Sequence, residues 1–177
     1  GYEWQGPTHS VPMQIMHQSN IDDVLWVNLC SSFREEWKKL PYYFEFDFAR
    51  GFGFKDIPDA FKNPDIVVFE GVYEYPFLGI ISELWNRNIP YIIVPRSALT
   101  SDAQKKKKLK KLIGNFLFFY RFVNRAAAIH YLTRSEELDS KSWKTESFIV
   151  PNGTLPKDIV KSRFSDCGRL IWSYVGR

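Results

Sequence analysis

The sequence predicts an α/β fold of the Rossmann-like, doubly wound kind, in which helices cover both faces of a mostly parallel sheet. Short apolar runs alternate with amphipathic stretches along the 177 residues, and this alternation is typical of parallel βαβ crossovers. The hydrophobic content of 45% is sufficient to bury one core. We therefore expect one such domain at residues 1–153.

The first elements are predicted from turn residues and apolar runs. Ser10 is expected to cap a short helix that has Pro12 in its first turn. Residues 23–30, DVLWVNLC, form a continuous apolar run, which predicts a strand buried on both faces. Residues 31–40 are expected to form a short helix or loop. Residues 42–48, YYFEFDF, alternate apolar and acidic side chains and predict a second strand.

Four further strands are predicted in the second half of the chain. They lie at residues 65–69, 91–94, 126–132 and 147–150. A helix beginning at Pro76 separates the first two of them. Residues 70–75, EGVYEY, follow the first of these strands, where open α/β sheets bind their ligands.

The stretch at residues 101–124, SDAQKKKKLKKLIGNFLFFYRFVN, predicts one amphipathic helix because its apolar residues recur every three or four positions. Two interpretations of its basic half stay open. It is either a solvated surface, or a face that docks on an anionic membrane or a phosphate-bearing substrate together with Phe118. Nucleic acid is a weaker third option. The lysines concerned are Lys105, Lys106, Lys107, Lys108, Lys110 and Lys111.

Charge and composition narrow the classes of function. The net charge of +4 is smaller than the charge of the lysine run alone, so basicity is local and a broad nucleic-acid interface is not expected. Cys30 and Cys167 lack metal-ligand spacing, which predicts free thiols in a reducing compartment and no metal site. No segment approaches the roughly 20 apolar residues that cross a bilayer.

Several motifs occur in a recognisable order. They are NPDIVVFEG, IPYIIVPRSAL, the lysine-rich helix, AAAIHYLTRSEE and SFIVPNG, with a weaker QGPTHSV near the start. Residues 63–177 in this order resemble the N-terminal, acceptor-binding half of a retaining glycosyltransferase of the GT-B architecture, family 4. The terminal RLIWSYVGR resembles the first strand of that family's second domain. The resemblance implies a linker at 154–168 and the start of a nucleotide-sugar-binding domain at 169–177.

The resemblance implies a transferase that moves a sugar from a nucleotide-sugar donor to a saccharide or polyprenyl-linked acceptor in bacterial surface polysaccharide synthesis. The enzyme would lie on the inner face of the cytoplasmic membrane, peripheral to it, and would need no metal or other cofactor. This chain alone is expected to be inactive, because the donor site belongs to the second domain. The alternative is a non-catalytic α/β module whose lysine-rich helix binds anionic membrane or nucleic acid.

The resemblance also assigns binding roles. Gly6 and Pro7 match the loop that approaches the donor diphosphate. Arg96, followed by Ser97, matches a cleft position that would bind acceptor or phosphate charge, with a structural salt bridge as the alternative. Glu136 matches an acidic acceptor-binding residue, although capping of its own helix would explain it equally well.

Catalytic and acceptor contacts are expected from the residues after the strand at 65–69. Glu70 is the first candidate for deprotonating the acceptor, with Glu74 as a weaker one, and Tyr73 would bind acceptor hydroxyls. His130 could act as a base near neutral pH. Its place in a predicted buried strand instead favours a core histidine bonded to backbone.

The resemblance further implies that the family's first, central strand has no counterpart in this chain. A gap is then expected beside the strands at 24–29 and 65–69. We expect poor solubility, a gap filled by residues 169–175, or self-association by exchange with another copy. A closed monomeric sheet would show that the strands are misaligned with the family.

Overall fold

The computed structural model describes residues 6–29, 34–45, 53–74, 77–105, 118–140 and 143–153. The α-helices of this part are α1 (Gly6–Gln18), α2 (Leu78–Arg87), α3 (Ser101–Lys105), α4 (Tyr120–Asn124) and α5 (Arg134–Asp139). Its strands are β1 (Trp26–Asn28), β2 (Tyr43–Glu45), β3 (Val67–Glu70), β4 (Tyr91–Val94), β5 (Ala128–Tyr131) and β6 (Ser147–Ile149). Short 3₁₀ helices lie at Glu35–Lys39, Phe54–Asp56 and Asp59–Phe61.

The strands of the described residues form two parallel sheets. One sheet has the order β3-β4-β5-β6, and the other pairs β1 with β2. Because parallel neighbours need crossover connections, α2 joins β3 to β4 in the larger sheet. The predicted α/β class with mostly parallel strands is confirmed, and the described part is a partial Rossmann-like domain.

One aromatic core holds the larger sheet to its helices. Phe122 of α4 is fully buried and stacks on Tyr91 of β4 with ring centroids 5.3 Å apart and planes 10° apart. Phe69 of β3 meets both rings edge-on, an arrangement that aromatic quadrupoles favour. Val27 and Phe44 of the small sheet pack against the same core, so the two sheets share it.

The first helix begins earlier than predicted. Ser10 lies inside α1, and its Oγ donates to the carbonyl of Gly6 at 3.1 Å, so it is not the N-cap. Pro7 lies in the first turn, where a backbone N–H would have no acceptor within the helix, so its lack of an N–H costs no hydrogen bond. Pro12 therefore lies in the helix interior and not in its first turn.

The predicted burial on both faces is wrong for β1, and β3 is also only partly covered. Trp26 and Val27 are only half-buried, and β1 has three residues. In β3, Val68 is 47% exposed. The physical reason is that β1 and β3 each pair with one strand among the described residues, which leaves one side of each uncovered. Cys30 and residues 46–48 of the second predicted strand lie outside the described residues.

The predicted helix at 101–124 is described only at its two ends. The first end is α3 and the second is α4. Of the predicted apolar face, Val123 is buried but Tyr120 is 46% exposed, whereas Phe122, which lies off that face, is buried. Residues 106–117 lie outside the described part, and so do five of the six lysines of the run. A continuous helix between α3 and α4 stays a prediction.

Candidate functional site

Arg96 is the centre of a polar cluster at the carboxyl edge of the larger sheet. It follows Pro95 at the end of β4, and its Nε donates to Glu70 Oε2 at the end of β3 across 2.7 Å. Its Nη1 donates to Ser10 Oγ of α1 at 3.1 Å and to Asn152 Oδ1 after β6 at 3.0 Å. The guanidinium thus joins four chain segments at the edge where parallel sheets bind ligands.

The Arg96 guanidinium still has donor capacity after these contacts. The Arg96 side chain is 11% exposed and that of Glu70 is 23% exposed, so the ion pair is shielded but reachable. Nη2 of Arg96 is buried and makes no hydrogen bond to any residue of the described part. An arginine presents five N–H donors, and the two on Nη2 have no acceptor in the described part.

The backbone beneath this cluster is strained. Arg96 and Ser97 have φ values of 53° and 64°, in the left-handed region that costs a non-glycine residue about 1–2 kcal/mol. The strained turn is stabilised by the buried carboxylate of Glu136, whose Oε1 accepts a hydrogen bond from the Ser97 amide at 2.5 Å. Backbone strain of this kind concentrates at functional sites.

Glu136 is consequently part of the turn that presents Arg96. Its second oxygen, Oε2, accepts from the Leu132 amide at 3.0 Å, which ties the end of β5 to the end of β4. The helix α5 is capped by Thr133, whose Oγ1 accepts from the Glu136 amide at 3.0 Å. The Glu136 carboxylate thus bonds back to the residue just before the N-cap of its own helix and also holds the turn at Ser97.

Tyr73 lies beside the cluster and is held by Gln104 of α3. The Gln104 Nε2 donates to the Tyr73 hydroxyl at 2.8 Å and to the Ala98 carbonyl at 2.7 Å. The Tyr73 ring meets Phe119 edge-on with centroids 4.9 Å apart. Tyr73 thus connects the loop after β3 to the loop after β4, and its hydroxyl already has a protein partner.

The loop after β3 also carries Glu74, whose side chain is exposed. Gly71 precedes it with φ +124°, a conformation that only glycine adopts without strain. The turn at Gly71 brings Glu74 back, so that a Cβ at Gly71 would lie 3.6 Å from Glu74 Cγ. Glu74 is thus near Glu70 in the chain, but the structure gives it no contact with Arg96.

His130 lies on β5, apart from the Arg96 cluster. One ring nitrogen, Nε2, is 2.8 Å from the Val150 carbonyl, and the ring stacks on Phe148 with centroids 4.9 Å apart. The predicted bond to backbone is present. The predicted burial is not, because β6 is an exposed edge strand and His130 is only half-buried beside it.

Gly6 and Pro7, predicted to approach the donor diphosphate with backbone amides of a helix start, form the first turn of α1. Proline is common at this position because a backbone N–H there would have no partner within the helix. The residue of this segment that reaches the site is Ser10, one turn further on. Neither Ser10 nor Asn152 was predicted from the sequence as a site residue. A position directly after a parallel strand was the available indication for Asn152.

The predicted membrane-contact residues are only partly described. Lys105 is exposed and pairs with Asp102 at 2.8 Å, and this hydrogen bond raises the pKa of the Lys105 ammonium. Phe118 is partly buried and packs near-parallel to Phe122, with centroids 6.2 Å apart. Phe118 thus contributes to the core, and only part of its ring faces outward.

A separate surface cleft of about 370 Å³ lies near the start of β3. Arg87 stands over the Phe54 ring at 4.6 Å and donates to the Lys62 carbonyl at 2.6 Å, so its charge is already engaged. The cleft is lined by Phe54, Lys55, Lys62, Asn63, Glu83 and Arg87. None of these is a predicted site residue.

Two further kinds of feature are absent from the described residues. They contain no group of three or more His, Cys, Asp or Glu side chains arranged to hold a metal ion. They also contain no helix of the length and apolar character that a membrane span requires.

Comparison with known proteins adds no relative. No protein-family model, curated protein or solved structure matches the chain.

Proposed function

We propose that this chain is the acceptor-binding part of a retaining, family 4 type glycosyltransferase of the GT-B architecture. The observation that carries the proposal is Arg96, a shielded guanidinium with an uncommitted Nη2 at the carboxyl edge of a parallel sheet. The order of the motifs, which resembles this family, gives the reaction class. The substrates would be a nucleotide sugar and a saccharide or polyprenyl-linked acceptor used in surface polysaccharide synthesis.

The cluster offers the chemistry that an acceptor needs. Nη2 of Arg96 can donate to a phosphate or hydroxyl oxygen, while Glu70 can accept from a sugar hydroxyl next to it. A carboxylate within hydrogen-bond distance of the reacting hydroxyl can also take its proton. We assign acceptor orientation to Arg96 and proton acceptance to Glu70, with no metal or other cofactor involved.

The donor would be bound by a second domain that begins near residue 169. In the intact enzyme the leaving diphosphate would meet cationic groups of that domain, as charge stabilisation in the transition state requires. The lysine run would hold the acceptor domain on the inner face of the cytoplasmic membrane, where lipid-linked acceptors are found. The 177-residue chain should therefore bind acceptor without transferring sugar.

A binding experiment on the 177-residue chain tests this proposal. A saccharide array and short-chain polyprenyl diphosphate saccharides are the probes, and Arg96→Gln is the test variant. Arg134→Gln is the matched control, because Arg134 is 70% exposed and pairs with Glu137 in the described part. We expect saccharide binding that falls at least about tenfold in Arg96→Gln and is unchanged in the control, the loss expected for one charged hydrogen bond.

Two results would contradict the transferase proposal, and a third would support it. Binding of RNA but of no saccharide, abolished when the lysines at 105–108 are replaced by glutamine, would support the non-catalytic module instead. Appreciable sugar transfer by the 177-residue chain would show that the donor site is not in a second domain. A coding region that continues into an α/β domain with two spaced glutamates would support the transferase.

A further inference from the structure

Asn152 and Gly153 form an exposed asparagine-glycine pair just beyond the end of β6. Asn152 is the one asparagine of the sequence that a glycine follows, and every other asparagine precedes a larger residue. In such a pair the backbone nitrogen of the glycine can attack the asparagine side chain, because no side chain on the next residue blocks the approach. The pair is therefore a candidate site of deamidation.

The surroundings of Gly153 leave its nitrogen accessible. The Gly153 amide makes no hydrogen bond to any residue of the described part. A Cβ placed on Gly153 would have no other atom within 4 Å, so neighbouring side chains do not hinder the approach either. The nitrogen can therefore reach the side chain of the residue before it.

Arg96 contacts the atom that gains charge in this attack. Its Nη1 donates to Asn152 Oδ1 at 3.0 Å, and addition of a nitrogen to Cγ places negative charge on that oxygen. A cationic donor that is already in position stabilises such an oxyanion, because it needs no rearrangement when the charge develops. Contacts with Ser10 Oγ at 3.1 Å and Glu70 Oε2 at 2.7 Å hold the guanidinium in this position.

We propose that Asn152 is a site of spontaneous deamidation and that Arg96 promotes the step. The Gly153 nitrogen forms a bond to Asn152 Cγ, the bond from Cγ to Nδ2 breaks, and Nδ2 leaves as ammonia with the Gly153 amide proton. The cyclic imide that results takes up water and opens to aspartate or isoaspartate. Water is the co-reactant, and no atom is oxidised or reduced.

Deamidation would change the charge of the cluster around Arg96. In the structure the charges of Arg96 and Glu70 cancel, and the Asn152 amide adds none. A carboxylate at position 152, beside the same guanidinium, would make the cluster net negative. Because like charges repel at short range, an anionic ligand would then bind more weakly. This consequence rests on the proposed function, whereas the deamidation itself does not.

Peptide mass spectrometry of the 177-residue chain, incubated in mildly alkaline buffer, tests the chemical step. We expect the peptide that contains Asn152 to gain the mass that marks conversion of an amide to an acid. Gly153→Ala is the control variant, because open space surrounds Gly153 and its φ is not positive. Conversion should be slower by at least about tenfold in this variant, since a methyl group hinders the attack.

Asn20 is the internal control for the same experiment. It is exposed like Asn152, but a β-branched isoleucine follows it. Conversion at Asn20 should be at least about tenfold slower, because the branched side chain blocks the approach of the next nitrogen. No conversion at Asn152, or an equal rate at Asn20 or in Gly153→Ala, would overturn the proposal.

Two variants of Arg96 test its part in the step. Arg96→Gln should slow conversion at Asn152 by at least about threefold, because a neutral donor stabilises the oxyanion less. Arg96→Lys keeps a cationic donor and should restore part of the rate. Conversion that is as fast in Arg96→Gln as in the unchanged chain would overturn the role of Arg96.

The Asn152→Asp variant tests what the product does to binding. Its affinity for a short-chain polyprenyl diphosphate saccharide should fall by at least about tenfold, and that for the same saccharide without diphosphate should fall less. Equal diphosphate affinity in this variant and the fresh chain would overturn the predicted change of charge. If the fresh chain binds neither probe, the proposed function fails, and the mass measurement still decides whether Asn152 deamidates.

Discussion

Glu136 accepts a hydrogen bond from the backbone amide of Ser97 at 2.5 Å, across the ends of β4 and β5. This contact joins a buried carboxylate to a left-handed turn, and the same turn aims Arg96 at Glu70. The position of the candidate ligand-binding group therefore depends on an acidic residue about forty positions away in the chain.

Replacing Glu136 by glutamine should destabilise the protein. The amide group can offer only one oxygen, so one of the two backbone donors, on Ser97 or Leu132, loses its acceptor. We expect the free energy of unfolding to fall by about 1–3 kcal/mol, the cost of an unsatisfied buried polar group. Urea unfolding measures it, with Glu83→Gln on the exposed face of α2 as a control that should change little.

The left-handed backbone at Ser97 predicts opposite effects for two substitutions. Ser97→Gly removes a Cβ at φ 64° and should raise the free energy of unfolding by up to about 1 kcal/mol. Ser97→Val places a β-branched side chain there and should lower it by about 1–3 kcal/mol. Thermal unfolding of both variants checks this, and a more stable valine variant would contradict the strain.

The ion pair of Arg96 and Glu70 should contribute more to the free energy of unfolding than a surface ion pair does. Its side chains are 11% and 23% exposed, so water screens it less than an exposed pair. A double-mutant cycle with Arg96→Gln and Glu70→Gln should give a coupling energy of about 1–2 kcal/mol. The same cycle on the more exposed Arg134 and Glu137 should give about 0.2–1 kcal/mol, and equal values would argue against a shielded site.

Tyr91 predicts a loss of stability at alkaline pH. Burial raises the pKa of the Tyr91 phenol, and the hydrogen bond from Trp85 opposes this only in part. The pKa of Tyr91 in the folded protein lies above the unfolded value of about 10. The stability that this shift contributes is therefore complete below pH 10, and it is lost as pH rises through the folded pKa. We expect Tyr91→Phe to flatten the decline of the unfolding free energy above pH 10.

At neutral pH, Tyr91→Phe should lower the free energy of unfolding by about 1–2 kcal/mol, because the Tyr91 hydroxyl donates to the Phe122 carbonyl at 2.7 Å inside the core. Tyr120→Phe is the matched control, since Tyr120 is 46% exposed on α4. Guanidinium unfolding at a series of pH values measures both effects. A slope unchanged by Tyr91→Phe would mean that Tyr91 does not titrate in this range.

The lysine run predicts binding to anionic vesicles. Each lysine near an anionic surface contributes about 1 kcal/mol to the free energy of binding. Replacing the lysines at 105–108 by glutamine should therefore lower the affinity for phosphatidylglycerol vesicles, measured by sedimentation, by at least about tenfold. A control replaces Lys38, Lys39, Lys55 and Lys62, which removes the same charge elsewhere. Equal loss in both variants would indicate attraction by net charge only.

The sequence predicted the bounds of the strands in the larger sheet better than it predicted their burial. The four strands β3, β4, β5 and β6 were each predicted within two residues of their bounds from their short apolar runs. β1 was predicted as a buried strand from a similar run, yet it is short and half-exposed. An apolar run specifies a strand, but the number of its neighbours decides how much of it is buried.

Alternating apolar runs and amphipathic stretches by themselves determined the parallel α/β class, and the position of Arg96 and Glu70 after strands determined that both lie at the carboxyl edge. Only the tertiary structure decided that these two residues pair, that Ser10 and Asn152 join them, and that Glu136 supports the turn. The reason is physical: secondary structure follows from spacing within a few residues, whereas the partners of a charged side chain are set by segments that meet only when the chain folds.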